Sequence, residues 1–230
     1  MNKNRARAVF FDMDGTLGDT FPNLLVQFNQ LLTQAGKEPL DFPGLVSLLG
    51  PTEPAILQPL MPECSLDELE QKLEQAIAEG DDIPLFPRIG DLLEDLRTEG
   101  ILIGVYTGAG RPCGVQRLRR MGLADRVDAF LTADDIPATK PAPDGLLRLC
   151  ADLKVTPGET VYIGDSHLDI QCARAAAMRS VGVLWGVSEA GTLLREGPDA
   201  LAANVTELAM WLREQAGITL ATWEQPLRPS

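Results

Sequence analysis

Cysteine is scarce and scattered: Cys64, Cys113, Cys150 and Cys172 lie 49, 37 and 22 positions apart, which excludes CxxC pairs and zinc-ligand spacing and reads as reduced, packed thiols. Long apolar runs are missing too. No stretch approaches the roughly 18 residues of a membrane helix, and the basic start Met1–Arg7 is followed only by Ala8-Val9-Phe10-Phe11 before Asp12, too little for a signal-peptide apolar region. A cytoplasmic location is therefore expected. Positive charge is in short supply, with Lys+Arg 20 against Asp+Glu 33 and a formal net charge of −13, so long-range repulsion argues against a nucleic-acid or anionic-membrane partner. No internal repeat is visible. What remains is a 230-residue chain of ordinary globular composition, 45% hydrophobic and 23% charged, long enough for a large core plus a small accessory domain.

Ala8–Phe11 is a continuous apolar run, as expected of a strand buried on both faces of a parallel sheet. Phe21, Leu24, Leu25, Phe28, Leu31, Leu32 and Ala35 then recur at helical spacing, with Pro22 suited to a first turn and Gly36 to a stop. Ser65-Leu66-Asp67-Glu68 is a capping box that opens a second helix with the apolar stripe Leu66, Leu69, Leu73, Ala76 and Ile77. From Ile89 the texture changes. A helix on Leu92, Leu93 and Leu96 ends at Gly100, and strand-like runs at 101–106, 129–132, 160–163 and 180–183 alternate with helical segments near 112–121, 144–153 and 169–177. This alternation predicts a doubly wound, Rossmann-like α/β parallel sheet. The segment 20–86 carries helical patterns and no strand-like run, so it is expected to be an inserted α-helical cap, with residues 1–19 and 87–230 forming the α/β catalytic core. A closing helix is expected over 205–216 and an irregular tail over 217–230.

In open α/β sheets ligands bind beyond the carboxyl ends of the strands, and here those positions are unusually polar. The first strand delivers Asp12 and Asp14, the second Thr107 and Gly108, and the fourth Gly164-Asp165-Ser166, with Asp169 four residues after Asp165. Lys140 follows the third strand in Lys140-Pro141-Ala142-Pro143. Taken singly, each has an ordinary structural explanation as a turn, a cap or a solvated charge. Together they bring carboxylates, one cation and one hydroxyl to a single edge. Clustered carboxylates stay ionised only beside a cation, and hard oxygen ligands point to Mg²⁺; Mg²⁺, a lysine and oriented donors are the parts needed for phosphoryl transfer. An Asp carboxylate can itself be the nucleophile.

These residues resemble the haloacid dehalogenase superfamily of phosphohydrolases, whose four motifs occur in order: Asp12-Met13-Asp14-Gly15-Thr16-Leu17-x-Asp19, the strand ending in Thr107, Lys140 in Lys-Pro-x-Pro, and Gly164-Asp165-Ser166-x-x-Asp169. The resemblance spans roughly residues 9–185. The small helical insertion is similar to the C1-type cap of the phosphoglycolate phosphatase and β-phosphoglucomutase subgroup, and Leu48-Leu49-Gly50-Pro51 with Gly182-Val183-Leu184-Trp185-Gly186 resembles the phosphoglycolate phosphatase branch. The resemblance implies that Asp12 is the nucleophile and a Mg²⁺ ligand, and that Asp14 protonates the leaving alcohol, activates water and offers its backbone carbonyl to the metal. It further implies that Thr107 and the Gly108 amide bind the phosphoryl group, that Lys140 neutralises charge there, and that Asp165 is a second carboxylate on the metal with Asp169 a ligand or a support. Asp14 favours phosphate-ester chemistry over carbon–halogen or carbon–phosphorus cleavage, because an alkoxide must be protonated.

The function expected is Mg²⁺-dependent hydrolysis of a small phosphate monoester, phosphoglycolate or a similar metabolite, through an aspartyl-phosphate, by a monomer or homodimer. Two alternatives stand beside it: a phosphosugar mutase of the β-phosphoglucomutase type, and a non-catalytic phosphate-ligand regulator on the same fold. Against the mutase, residues 23–34 lack the His and basic residues that such relatives carry early in the cap. The cap holds two lysines against eleven acidic residues, which argues for a monophosphate with a neutral, weakly acidic or cationic leaving group. His167 reads as a surface group and Arg111 as a solvated helix-start charge, with a leaving-group contact as its other reading.

Overall fold

A computed structural model describes residues 5–48, 52–78, 82–220 and 223. Its centre is a six-stranded, all-parallel sheet in the order β3-β2-β1-β4-β5-β6, made of β1 (Ala8–Phe11), β2 (Leu102–Tyr106), β3 (Ala129–Leu131), β4 (Thr160–Gly164), β5 (Arg179–Val183) and β6 (Ala200–Ala202). The doubly wound prediction holds. The strand order reverses between β1 and β4, whose residues pair in register from Ala8↔Thr160 to Phe11↔Ile163.

The central strands are apolar on both sides because both faces are covered. One face buries Val9, Phe11, Ile103, Val105, Val161 and Ile163 beneath α5 (Ile89–Thr98) and α10 (Val205–Gln215). The other buries Ala8, Phe10, Tyr106 and Tyr162 beneath α7 (Asp144–Leu153) and α8 (His167–Ala175). Helices α6 (Arg111–Arg120) and α9 (Ala190–Glu196) complete the alternation. The second strand starts at Leu102 rather than Ile101, and α8 starts two residues earlier than its apolar pattern predicts, because Ser166 caps it: the Ser166 hydroxyl accepts from the Asp169 amide.

The region between β1 and α5 is helical, as expected, and contains two helices that the periodicity does not predict. These are α2 (Phe42–Leu48) and α3 (Glu53–Leu57), which join α1 (Phe21–Gln34) and α4 (Leu66–Ala78). At seven and five residues they are too short to display a repeating stripe. The capping box opening α4 is present, with the Ser65 amide donating to Glu68 Oε2 over 2.8 Å and the Glu68 amide donating back to Ser65 Oγ over 3.2 Å. Leu66 leaves the predicted stripe: it is 45% exposed, while Leu69, Leu73 and Ile77 are buried. These helices share one apolar cluster, built on Leu24, Phe28, Leu57 and Leu73, that runs onto Ala109 and Cys113 at the start of α6. The chain enters and leaves this region side by side. The Asp19 amide donates to the Pro84 carbonyl over 3.1 Å and the Phe86 amide to the Leu17 carbonyl over 3.0 Å, making an antiparallel bridge between Gly18 and Leu85.

Residues 217–220 and 223 lie beyond the last long helix and are tied down. Ile218, Leu220 and Trp223 are buried, Trp223 Nε1 donates to Asp95 over 2.7 Å, and the Arg88 guanidinium stacks 3.7 Å above the Trp223 ring. Residues 49–51 of the Leu48–Pro51 segment, the acids Glu79 and Asp81 of the cap, and the tail prolines 226 and 229 lie outside the described residues. The cysteines are free thiols, and burial pushes Cys113 and Cys172 up to about 12.

Candidate active site

β1 and β4 end at the point where the strand order reverses, and each strand-to-helix turn turns a carboxylate inward. Asp12 follows β1, its amide still in the ladder as a donor to the Ile163 carbonyl over 2.8 Å. Asp165 follows β4 and is walled by two glycines: a Cβ at Gly15, where φ is +81°, or at Gly186 would run into its carboxylate. Asp165 accepts from the Thr16 hydroxyl over 3.1 Å and from the Val187 amide over 2.8 Å. Trp185 fastens the same two loops together by donating Nε1–H to the Thr16 carbonyl over 3.1 Å.

Lys140 reaches over from the loop after β3 and lies 2.5 Å from Asp12 Oδ1 and 2.7 Å from Asp169 Oδ1. The rings of Tyr106 and Tyr162 flank its ammonium at 4.9 and 5.5 Å. Asp169 is fully engaged, since it also accepts from the Tyr162 hydroxyl over 2.9 Å and from Ser166 Oγ over 2.6 Å. Carboxylate oxygens of Asp12, Asp165 and Asp169 come within 4.8 Å of one another, all three residues buried. Burial, and then the neighbouring carboxylates, push Asp12 well above the usual carboxylate range in spite of Lys140, and burial with Asp169 pushes Asp165 up to about 7. Burial works against charge on Lys140, but Asp12 and Asp169 outweigh it and hold the ammonium above the usual lysine range. Asp169 is likewise buried and nevertheless held low by Lys140 and Ser166. One lysine among three buried carboxylates leaves negative charge in excess, and a hard divalent cation with oxygen ligands fits that donor set.

Asp14 stands apart from this cluster. Thr107 Oγ1 donates to Asp14 Oδ2 over 2.9 Å and accepts from the Ala109 amide over 3.0 Å, so the hydroxyl after β2 and the carboxylate after β1 are locked together. Asp12, Asp14, Gly108, Lys140 and Asp165 all line one cavity of about 430 Å³ between the sheet edge and the helical region. His167 lines it as well from the first position of α8 and is exposed. Arg111 does not line it; its guanidinium is paired with Asp135.

Two residues at this cavity have no counterpart in the expected set. Arg117, on α6, pairs with Glu53, the first residue of α3, through Nη1 and Oε1, and the same Nη1 lies 3.3 Å from Asp14 Oδ1. Both are buried, Arg117 to 3% exposure and Glu53 to 4%. A signal for Arg117 exists in the sequence, because it falls four residues after Cys113 and beside Leu118, on the stripe that α6 buries.

Residues 9–183 match the family described as haloacid dehalogenase-like hydrolase. The chain belongs to that family. It is accordingly a hydrolase. Among relatives, a phosphoglycolate phosphatase of Xylella fastidiosa is 31% identical over 187 residues, 78% of this chain and 81% of that one. One of Pseudomonas putida is 27% identical over 226 residues, 94% of this chain and 83% of that one. A crystal structure of a predicted phosphoglycolate phosphatase from Haemophilus somnus superposes with a TM-score of 0.80 at 21% identity, covering 91% of this chain and 98% of that one, and shows the shared fold.

Proposed function

We propose that this haloacid dehalogenase-like hydrolase is a Mg²⁺-dependent phosphatase of small-molecule phosphate monoesters that works through an aspartyl-phosphate, with residues 20–86 as its cap. The observation that carries the reading is the buried set of Asp12, Asp165, Asp169 and Lys140 at the strand-order reversal, with Asp14 held separately by Thr107. Asp12 attacks phosphorus, so that a carboxylate O–P bond forms as the ester P–O bond breaks, and Asp14 gives its proton to the departing alkoxide. Water then attacks the acyl phosphate, Asp14 takes back a proton, and inorganic phosphate leaves with the Asp12 carboxylate restored. Lys140 offsets charge on Asp12 and on the phosphoryl oxygens, and Thr107 with the Gly108 amide orients that group. The residues that would hold Mg²⁺ are Asp12, Asp165 and the Asp14 carbonyl; when bound, the ion supplies positive charge beside the transferring group. Asp169, with its oxygens already taken by Lys140, Tyr162 and Ser166, positions the lysine.

The test is phosphate release from a panel of phosphorylated metabolites, with and without Mg²⁺, for the wild type and Asp12→Asn. Release confined to the wild type with Mg²⁺ is expected, and undiminished release by Asp12→Asn would overturn the mechanism.

A further inference from the structure

The Glu53–Arg117 pair joins the helical region to the sheet domain, but it is not made as a fastening would be. A guanidinium and a carboxylate frequently meet as a two-pronged fork, with two parallel hydrogen bonds. Here one nitrogen, Arg117 Nη1, serves both Glu53 and Asp14. Glu53 Oε2 and Arg117 Nη2 are left over, both buried and both without a hydrogen-bond partner, on side chains that line the cavity. Buried polar atoms without partners are rare, and at a cavity wall a water or a ligand group can satisfy them. Of these two, one only accepts and the other only donates. A hydroxyl does both and satisfies the pair at once, whereas a carboxylate would satisfy Nη2 and repel Oε2, and an ammonium would do the reverse.

The charges around the cavity point the same way. Its described lining holds six carboxylates, Asp12, Asp14, Glu53, Asp165, Asp169 and Glu189, and two permanent cations, Lys140 and Arg117. Lys140 is committed to Asp12 and Asp169, and Arg117 to Glu53 and Asp14. Neither cation is free for an acidic group on the leaving alcohol. Of the acidic residues in 20–86, only Glu53 reaches this lining among the described residues; the other contributions from that region are apolar or neutral, Phe21, Leu24, Val46, Ile56 and Thr52.

We propose that Glu53 and Arg117 form the subsite that reads the leaving group, and that the substrate is a monophosphate of a neutral polyol, one of whose hydroxyls bridges Glu53 Oε2 and Arg117 Nη2. This rests on the phosphatase reading above and narrows it to one substrate class, away from esters whose alcohol carries a carboxylate or a second phosphate. Glu53 thereby sets specificity, and because Arg117 also touches Asp14, a correctly seated alcohol and the proton donor are registered by one side chain.

The experiment compares kcat/KM for glycerol phosphate, erythritol phosphate and sorbitol phosphate with that for phosphoglycolate, using p-nitrophenyl phosphate to report chemistry without a polyol. Wild type is expected to favour at least one polyol phosphate over phosphoglycolate by about tenfold or more, the size of one good charge-assisted hydrogen bond. Glu53→Gln keeps the shape, withdraws the charge and frees Arg117, so the preference falls at least fivefold through KM. Glu38→Gln, which removes the same charge from the exposed side of the cap, leaves the ratio where it was. A wild type that prefers phosphoglycolate to all three polyol phosphates, or a ratio unmoved in Glu53→Gln, overturns the subsite while p-nitrophenyl phosphate turnover still upholds the phosphatase reading. If no ester is hydrolysed, binding to the wild type with Mg²⁺ decides: tighter calorimetric binding of a polyol phosphate than of phosphoglycolate keeps the subsite and sinks the phosphatase reading, and the reverse order sinks both.

Discussion

Two buried cations face the cavity, and they are tied in differently. Lys140 belongs wholly to the sheet domain: its partners sit on the turns after β1 and on α8, and Asp169, which shares it, has no oxygen left over. Arg117 is shared between α3, on the cap side, and the turn after β1, and its pair ends with one unfilled acceptor and one unfilled donor. The finished assembly suits a step common to every substrate, since its electrostatics are preorganised before anything binds. The unfinished one suits the part of the substrate that varies.

The comparison can be broken by experiment, beginning with the largest effect. Chelation with EDTA is expected to take phosphate release to background and Mg²⁺ to restore it, because the core assembly holds three carboxylates against one lysine; release that persists in EDTA would show that this charge excess needs no cation. Lys140→Ala should lower kcat by about 10²–10³-fold on every ester alike and lower stability by about 3–5 kcal/mol in urea titration, since it strands two buried carboxylates. Arg117→Met should cost less, about 10–100-fold in kcat/KM, and unevenly between esters; an even loss would erase the difference drawn between the two cations. Smallest, Ser65→Ala removes a helix cap remote from both assemblies and should cost about 1 kcal/mol of stability with no change in kcat/KM.

The parts that were legible in the sequence are those whose signal is local. Asp12, Thr107 and Asp165 each stand at the end of a buried apolar run, with Asp14 two residues beyond Asp12, and once those runs are read as parallel strands the sheet carries them to one edge without further information. Glu53 carries no such local mark, and Arg117 carries only its place on the buried stripe of α6. Glu53 opens a five-residue helix, where an acid is ordinary dipole decoration, and Arg117 is one of three arginines in the last turn of α6. Only the tertiary packing of one region on the other makes them neighbours. β6 escaped for another reason: Ala200-Leu201-Ala202 is three residues long and built mainly of a weak strand former, and it exists because β5 offers a paired edge.

The same packing narrowed the meaning of the acidic cap. Eleven acids against two lysines in 20–86 argue as a sum for a neutral, weakly acidic or cationic leaving group, yet Glu38, Asp41, Glu63, Asp67, Glu68, Glu74 and Asp82 face solvent, where counter-ions screen them within about 10 Å. Among the described acids of 20–86, Glu53 is the one that lines the cavity.

The paired legs at Gly18 and Leu85 have a mechanical consequence. Because the outgoing and returning chains are bonded to each other, the two backbone connections to the helices between them act as one joint, which works beside the apolar contact with α6 and the Glu53–Arg117 pair. Backbone register at that joint sets where the helices meet α6, so one residue inserted on either leg would carry Glu53 out of step with Arg117 without altering any side chain that touches the substrate.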